Sequence, residues 1–137
     1  MKKNVGFSLI ELMIAIAIIG IISAIAYPSY ISHIKKGKRS DAMSSLLSAA
    51  EAIERYKANN FTYAGATLGS GGIHTDRVPV QGSGIDYELS FSNLTATTYT
   101  ITASPKGGMT GDCTLTINQA GVKGTTTTSS CSSVDNW

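Results

Sequence analysis

An apolar run near the start of the chain, from Phe7 to Tyr27, limits what this sequence can fold into. Its 21 residues would form a helix about 31 Å long, close to the hydrocarbon thickness of a bilayer. Glu11 is the one charged residue within the run. A carboxylate costs roughly 2.5–3.5 kcal/mol near the bilayer centre and less near its edge, and intramembrane charges usually have a function and a partner. The sequence therefore predicts a membrane helix in which Glu11 has a role.

Three interpretations of this run are open. The two lysines before it and the A-x-A pattern at Ala24–Ala26 are typical of a secretory signal peptide. The run could also be an ordinary uncleaved anchor. In the third interpretation the chain is cut after Gly6, so that the run stays on the mature protein and Phe7 gains a free amine. Glu11 favours the third, because a disposable signal has no need of a carboxylate and because Glu11 lies four residues from that amine, in its own helix or a neighbour's.

The stretch KNVGFSLIELMIAIAIIGIISAIAYPSY resembles the prepilin signature of type IV pilins in nearly every position. The features that match are Gly6 followed by Phe7, a glutamate at the fifth position after that junction, and an unbroken apolar helix. The resemblance implies that prepilin peptidase cleaves between Gly6 and Phe7 and that Phe7 becomes N-methylated. It also implies that Glu11 pairs with the Phe7 amine of a neighbouring subunit, which sets the register of filament assembly.

Gly20 and Pro28 are two positions at which this helix is expected to be soft. Proline removes a backbone hydrogen bond and clashes with the preceding turn, which costs about 3 kcal/mol in a helix interior, and glycine costs about 1 kcal/mol. In filaments of similar pilins the stretch between these two positions can lose its helical form, and the resemblance extends that expectation to Gly20–Pro28. The alternative is a simple kink at Pro28.

Helical periodicity continues to about Lys57, where Asn59-Asn60 is a stop signal. A stripe of apolar residues at three- and four-residue steps predicts that this part of the helix is amphipathic and packs on another element. The stripe consists of Met43, Leu46, Ala50 and Ile53, and the other faces carry Ser44, Ser45, Ser48, Glu51 and Arg55. The basic cluster KKGKR at 35–39 is expected to be solvated, to face lipid headgroups, or to pair with acidic residues of the next subunit.

Three alternating segments in the C-terminal half predict β-strands with one buried face. Their apolar positions are Ile85, Tyr87, Leu89 and Phe91 in the first, Tyr99, Ile101 and Ala103 in the second, and Cys113, Leu115 and Ile117 in the third. Val122 is a candidate start for a fourth strand. Short glycine-containing loops between them predict an antiparallel meander with its apolar face on the helix. The predicted fold class is α+β, a long N-terminal helix packed on a small antiparallel sheet, which by resemblance is the pilin fold.

The chain is expected to be an anchor followed by one small domain. The segments are a prepilin leader at 1–6, a transmembrane or filament-core helix at 7–28, the amphipathic half of the helix at 29–58, a helix-to-sheet loop at 59–84, and the sheet with a C-terminal disulfide loop at 85–137. Trp137, at the end of the last segment, is expected either to pack back on the domain or to fray.

Cys113 and Cys131 are the two cysteines, and neither lies in a CxxC motif or near a histidine. Metal-binding and redox interpretations are therefore weak. A disulfide between the two is the simpler interpretation, with two buried free thiols as the alternative. A disulfide implies an oxidising compartment beyond the cytoplasm. The loop has 17 residues between the cysteines, and closing it would stabilise the fold by about 3 kcal/mol on the chain-entropy model.

Charge and side-chain chemistry argue against several functions. With 11 basic and 9 acidic residues the net charge is +2, which gives no global attraction to nucleic acid, and the basic cluster has no interleaved aromatic residue. Nucleic acid is therefore not an expected partner. His33 and His74 lack metal-ligand spacing, and no serine lies in a nucleophile motif. We expect no enzyme activity, no catalytic or metal-binding residue and no cofactor.

The sequence predicts a structural subunit of a type IV pilus. The resemblance implies that the subunit waits in the inner membrane, is processed by prepilin peptidase, and is lifted by the pilus assembly machinery into an extracellular filament with like or different pilins. Such filaments serve adhesion, twitching motility and DNA uptake. The layout from ERYKANNFTY to CTLTINQAGVKG favours a minor, PilE-like subunit over a major one. The alternatives are a periplasmic or secreted binding domain released by signal peptidase, and a pseudopilin of a type II secretion system.

Overall fold

The computed structural model describes residues 7–82, 84–126 and 137, which fall into two units, one up to Lys36 and one from Gly37 onward. One helix, α1, extends over Leu9–Asn60 with 52 residues. It ends three residues beyond the predicted end at Lys57, at the second asparagine of the stop signal. Phe61 follows in the left-handed region with φ of 60°, which terminates the helix.

The first unit exposes almost all of its large apolar side chains. From Leu9 to Ile25 their exposed fractions lie between 52% and 76%. Each Å² of apolar surface left in water costs roughly 25 cal/mol, so this part of the helix needs a lipid or protein environment. Its length and composition are sufficient to cross a membrane.

The second unit contains, within the described residues, a five-stranded antiparallel sheet. The strands are β1 (Arg77–Val78), β2 (Tyr87–Ser92), β3 (Thr100–Pro105), β4 (Thr114–Asn118) and β5 (Lys123–Thr126). Their order in the sheet follows their order in the chain, as a meander requires. A short 3₁₀-helix, Gly107–Met109, lies between β3 and β4.

The three strands predicted from alternation are confirmed as β2, β3 and β4. In β2 the side chains of Tyr87 and Leu89 are buried and Phe91 is half-buried against the core, whereas Glu88, Ser90 and Ser92 face outward. The register pairs Leu89 with Ala103 and Ala103 with Leu115, so the buried positions line up across the sheet. The predicted fourth strand is present as β5, although Val122 is exposed and β5 begins at the next residue.

The expectation that 59–84 is only a loop is wrong. Arg77 and Val78 form the edge strand β1, in which Arg77 pairs with Glu88 and Val78 with Tyr87. Val78 is buried in the core. Two residues are too few to show a period in sequence, so this strand is defined by its partner β2 rather than by local pattern.

The core lies between the second half of α1 and one face of the sheet. The apolar stripe predicted on the helix is confirmed at Leu46 and Ile53, which are fully buried. Helix residues of the core are Ala42, Leu46, Ala49 and Ile53, and they meet Tyr87, Leu89, Tyr99, Ile101, Ala103, Leu115 and Ile117 of the sheet region. Two of these four helix residues are alanines. Their small side chains allow the helix and the sheet to approach each other closely.

The predicted face of the helix is rotated from the observed one. Ser45, expected on an outer face, is only 7% exposed, whereas Met43 and Ala50 of the predicted stripe are half-buried. The buried face of this part of α1 includes the small side chains of Ala42, Ser45 and Ala49, which carry little hydrophobic signal in the sequence. The Ser45 hydroxyl has no hydrogen-bond partner among the described residues.

Candidate functional site

The residues predicted to direct processing and register lie at the start of the chain. Gly6 falls outside the described residues. Phe7 is exposed and precedes α1, and Glu11 is exposed in the first turn of that helix. A carboxylate in a first turn interacts favourably with the partial positive charge of the helix N-terminus. Cleavage after Gly6 and pairing of Glu11 with a Phe7 amine stay predictions.

Gly20 and Pro28 both lie inside the helical range of α1. A Cβ atom built on Gly20 would meet nothing within 4 Å. Within the part of the chain that the structure describes, no packing contact therefore requires glycine at this position. The predicted softening of Gly20–Pro28 concerns the filament, and it stays a prediction.

Two members of the basic cluster, Lys38 and Arg39, pair with acidic residues of their own chain. For these two the expectation that the cluster faces solvent, lipid or the next subunit is wrong, and for Lys35 and Lys36 it stays a prediction. The Lys38 ammonium lies 2.6 Å from Oδ1 of Asp86. The Arg39 guanidinium donates two hydrogen bonds to Asp112, at 2.5 Å to Oδ1 and 3.3 Å to Oδ2. Sequence could not show this, because the acids lie 48 and 73 positions away and reach the helix only through the sheet.

Tyr87 completes a buried network around Asp112. Its hydroxyl donates to Oδ2 of Asp112 at 2.9 Å, and the side chains of Asp112 and Arg39 are 1% and 14% exposed. Burial alone would raise the pKa of Asp112, but hydrogen bonds from Arg39 and Tyr87 outweigh it, and the pKa of Asp112 falls below its ordinary value. Burial, together with the neighbouring carboxylate, raises the pKa of Tyr87. The network therefore keeps Asp112 ionised and attached to α1.

Cys113 follows Asp112 directly and is buried. Its predicted disulfide partner, Cys131, lies outside the described residues. The Asp112 network thus holds the chain against α1 at one predicted end of the disulfide loop, and the disulfide itself stays a prediction.

A group of aromatic residues covers the C-terminal end of α1. The rings of Tyr63 and Tyr99 meet edge to face with centroids 4.9 Å apart. The Lys57 ammonium lies 4.2 Å from the centroid of Tyr63, whose hydroxyl donates to the carboxylate of Glu54. Phe61 is 89% exposed next to this group. Sequence analysis missed Phe61, since a single aromatic after a helix carries no periodic signal.

Trp137 packs back on the domain, which confirms the first of the two expectations for it. It contacts the core cluster and donates from Nε1 to the carbonyl of Gly124 at 3.4 Å. The Lys123 ammonium lies 5.0 Å from the centroid of its ring. A cation and an aromatic ring therefore lie together beside β5, the last strand in the order of the described sheet. The sequence did not indicate this pair, because Lys123 and Trp137 are far apart in the chain.

The surface depressions of the second unit include two that border α1. The larger, which we call the helix–sheet groove, has a volume of about 580 Å³. It is lined by Leu47, Ala50, Glu51, Glu54, Arg55, Tyr99, Ile117, Asn118, Gln119 and Gly121. The smaller, of about 290 Å³, lies between α1 and the segment around β1, from His74 to Val80. Among the described residues no three metal-ligating side chains cluster. His33 is exposed, and the ring of His74 has a hydrogen bond with the neighbouring Thr75 carbonyl.

Comparisons with known proteins agree with this geometry. Residues 1–27 match the prokaryotic N-terminal methylation motif. Residues 28–117 match a family model described as type IV minor pilin ComP, DNA uptake sequence receptor. No curated protein matches the sequence. Among solved structures, the non-core minor pilin PilV of Neisseria meningitidis is similar, with a TM-score of 0.54, 20% identity, and coverage of 72% of this chain and 92% of that one.

A methylation motif on an apolar helix, followed by a helix packed on an antiparallel sheet, defines a type IV pilin. The chain belongs to the ComP family of type IV minor pilins. It is a subunit of a type IV pilus, anchored in the inner membrane before it enters the extracellular filament. Pilins are structural subunits, so the expected class of protein is confirmed. Membership of this family argues against both alternatives, the binding domain released by signal peptidase and the pseudopilin of a type II secretion system.

Proposed function

We propose that this minor pilin binds DNA at the pilus surface during DNA uptake. The observation that carries the proposal is the match of residues 28–117 to the family described as a DNA uptake sequence receptor. This proposal differs from the expectation, drawn from the sequence, that nucleic acid is not a partner. That expectation used the net charge and the lack of aromatic residues within the cluster at 35–39, whereas DNA affinity depends on the local phosphate contacts that individual Lys and Arg side chains make anywhere on the surface.

Ion pairs within the chain limit the number of cationic side chains that are available to contact DNA. Four cationic side chains of the second unit pair with carboxylates of the chain, namely Lys38, Arg39, Arg77 and Lys106. Of the other three, Lys57 lies over Tyr63, Lys123 lies over Trp137, and Arg55 is exposed on α1 with no aromatic ring beside it among the described residues. Tyr63 is buried, whereas Trp137 is half-buried and presents part of its ring. We place a DNA contact at Lys123 and Trp137, since a cation beside an aromatic plane suits both phosphate and base.

The test is DNA binding by the full-length pilin in detergent, measured at several salt concentrations. Replacing Lys123 with Gln removes one cation, so the slope of log affinity against log salt is expected to fall by about 0.9, the value for one phosphate contact. Trp137→Ala is expected to weaken binding as well. Lys106→Gln is the matched control, because Lys106 is an exposed lysine already paired with Glu88 at 2.9 Å. Equal slopes for wild type and Lys123→Gln would move the site elsewhere, and no binding by wild type would reject the function.

We also propose the steps that bring the subunit to the filament. Prepilin peptidase cuts between Gly6 and Phe7, Phe7 is N-methylated, and the pilus assembly machinery extracts the subunit from the inner membrane. Glu11 then meets the Phe7 amine of a neighbouring pilin. The methylation motif at 1–27 and the exposed apolar surface of the first unit support this order of events. In the bilayer lipid already covers that surface, so the Glu11 pairing and helix packing must supply the net gain on assembly.

A further inference from the structure

A serine on the buried face of α1 carries a hydroxyl group that the fold does not use. Ser45 is 7% exposed, and its Oγ atom has no hydrogen-bond partner among the described residues. Buried hydroxyl groups are normally paired, because leaving one unpaired opposes folding. Ser45 also lines the smaller depression, between α1 and the segment around β1. This position indicates that the hydroxyl group serves a ligand rather than the fold.

The smaller depression, which we call the Ser45 cavity, has a volume of about 290 Å³ and a mainly polar wall on the helix side. Spacings of three and four residues place four polar side chains on one face of α1, namely Asp41, Ser44, Ser45 and Ser48. The segment around β1 contributes His74 and the apolar side chains of Pro79 and Val80. Among the described residues that line the cavity there is no lysine or arginine. The cavity is therefore rich in hydrogen-bond acceptors and carries one negative charge.

Asp41 supplies that charge. Its carboxylate forms no ion pair with any residue in the described part of the chain. The two basic residues that precede it on α1, Lys38 and Arg39, bind other carboxylates. The Asp41 carboxylate is therefore available to a cation from outside the chain.

The His74 ring supplies a second acceptor. Its Nδ1 atom lies 2.9 Å from the carbonyl oxygen of Thr75. Because a carbonyl oxygen only accepts, Nδ1 must donate, and Nε2 of the neutral ring is then an acceptor. The backbone here is fixed, since the Gly69 amide donates to the His74 carbonyl at 2.8 Å and Val78 pairs with Tyr87 in the sheet. A wall that is ordered before the ligand arrives loses little entropy on binding.

We propose that the Ser45 cavity binds a primary ammonium group on an aliphatic stem. An ammonium group donates three hydrogen bonds, which a carboxylate, an imidazole nitrogen and serine hydroxyl groups can accept. Hydrogen bonds that involve an ionised group are also stronger than neutral ones. Pro79 and Val80 offer apolar surface to the stem, and Val80 is 60% exposed. An anionic ligand is disfavoured, because it would meet Asp41 with no cation in the described lining.

The ammonium group has two possible sources, a free alkylamine and the end of a lysine side chain from a partner protein. The cavity is too small for more than the end of a chain, so both sources present the same chemistry to it. The site shares no residue with the proposed DNA contact at Lys123 and Trp137. Either proposal can therefore fail without the other.

Ligand-detected NMR titration of the full-length pilin in a nonionic detergent tests the site with four small probes. n-Butylammonium represents the free amine, and Nα-acetyl-lysine amide represents the lysine side chain. The trimethylammonium analogue of butylamine keeps the charge but has no N–H donor, and n-butanol keeps the stem without the charge. We expect the last two probes to bind about tenfold more weakly than n-butylammonium, because they lack charged hydrogen bonds.

The pattern across the probes also identifies the source. Comparable binding of n-butylammonium and the lysine derivative supports a lysine side chain as the occupant, whereas binding of n-butylammonium alone supports a free amine. No binding of either probe overturns the proposal. Equal binding of the trimethylammonium analogue also overturns it, because the attraction would then depend on charge alone.

Asp41→Asn removes the negative charge of the cavity and keeps the size of the side chain. The affinity for n-butylammonium is expected to fall about tenfold. Glu51→Gln is the matched control, since Glu51 is an exposed carboxylate of the same helix that does not line this cavity. It should leave the affinity unchanged. Unchanged affinity in Asp41→Asn, or equal losses in both variants, overturns the proposal.

Ser45→Ala separates binding from folding. It removes a buried hydroxyl group without an internal partner, so thermal stability is expected to stay equal or rise, while the affinity for n-butylammonium falls about fivefold. Ser40→Ala, at an exposed serine of the same helix, should change neither property. Unchanged affinity in Ser45→Ala contradicts the proposal. So does a loss of stability, because the hydroxyl group would then serve the fold.

Discussion

Arg39 and Asp112 form a doubly hydrogen-bonded ion pair that joins α1 to the residues just before β4. Two N–H donors of one guanidinium meet two oxygens of one carboxylate, a geometry that makes such pairs strong and directional. Tyr87 donates to the same carboxylate from β2. One acidic side chain therefore connects the helix, a central strand and the start of the cysteine-bounded segment, all within the second unit.

Asp112→Asn is expected to destabilise the folded subunit strongly. The change leaves the guanidinium of Arg39 buried without its counter-charge, and breaking a buried pair in this way typically costs about 3–5 kcal/mol. Chemical unfolding of the full-length protein in detergent measures the effect. Glu88→Gln is the matched control, since its pair with Lys106 is half-exposed and should contribute about 0–1 kcal/mol. Similar losses in both variants would contradict the special role of the buried pair.

The stability that Asp112 contributes should depend on pH in the acid range. Its pKa is lower in the folded protein than the ordinary value of 3.8. A carboxyl of this kind stabilises the fold fully above its unfolded pKa and loses that contribution as pH falls through its folded pKa. The difference in unfolding free energy between wild type and Asp112→Asn is therefore expected to be constant above about pH 5 and to shrink below about pH 4. A difference that stays constant down to pH 2 would show that the charge is not the cause.

The mature chain is expected to begin at Phe7 and to carry a methyl group on its amine. Mass spectrometry of the N-terminal peptide from membranes and from sheared filaments measures both features. Gly6→Leu should block cleavage, so the leader peptide would be retained and the subunit would stay in the membrane. A mature N-terminus at Tyr27 would instead indicate signal peptidase, and it would remove the filament helix altogether.

Glu11→Ala should leave membrane insertion intact and reduce incorporation into filaments. Removing a charge from an apolar segment lowers the cost of insertion, whereas assembly loses the partner of the neighbouring amine. The amount of this chain in sheared filaments, relative to the amount in membranes, measures incorporation. Ser23→Ala, a neutral change in the same helix, is the control. If Glu11→Ala and wild type enter filaments equally well, the carboxylate does not set the register.

Cys113→Ser and Cys131→Ser are each expected to destabilise the fold by about 3 kcal/mol through loss of a closed loop. The double variant should be no worse than either single one, because both changes remove the same bond. Thiol titration under denaturing conditions gives an independent reading, with no free thiol expected in wild type. Additive losses in the double variant, or two reactive thiols in wild type, would exclude the disulfide.

The strands show how much local pattern can predict. Alternation along Tyr87–Ser92, Thr100–Pro105 and Thr114–Asn118 was sufficient, because each strand buries one face and the period of two is visible in five or six residues. Arg77–Val78 was not predictable in this way, since a two-residue edge strand exists only through its pairing with β2. The amphipathic half of α1 was predicted, but its buried face is rotated from the predicted one. The reason is that Ala and Ser at the contact carry little hydrophobic signal.

Sequence by itself determined the membrane helix with its carboxylate and the α+β layout, because these follow from hydropathy and period over adjacent residues. The pilin fold was implied by the resemblance of the N-terminal stretch to the prepilin signature. Only the tertiary structure showed which acidic residues pair with the cations Lys38 and Arg39. Arg39 reads as an exposed cation in sequence, yet it is buried against Asp112, 73 positions away. Phe61 reads as an ordinary loop residue, yet it projects from a rigid turn. Both depend on which distant segments the sheet brings to the helix, and that information lies in the packing of the whole domain.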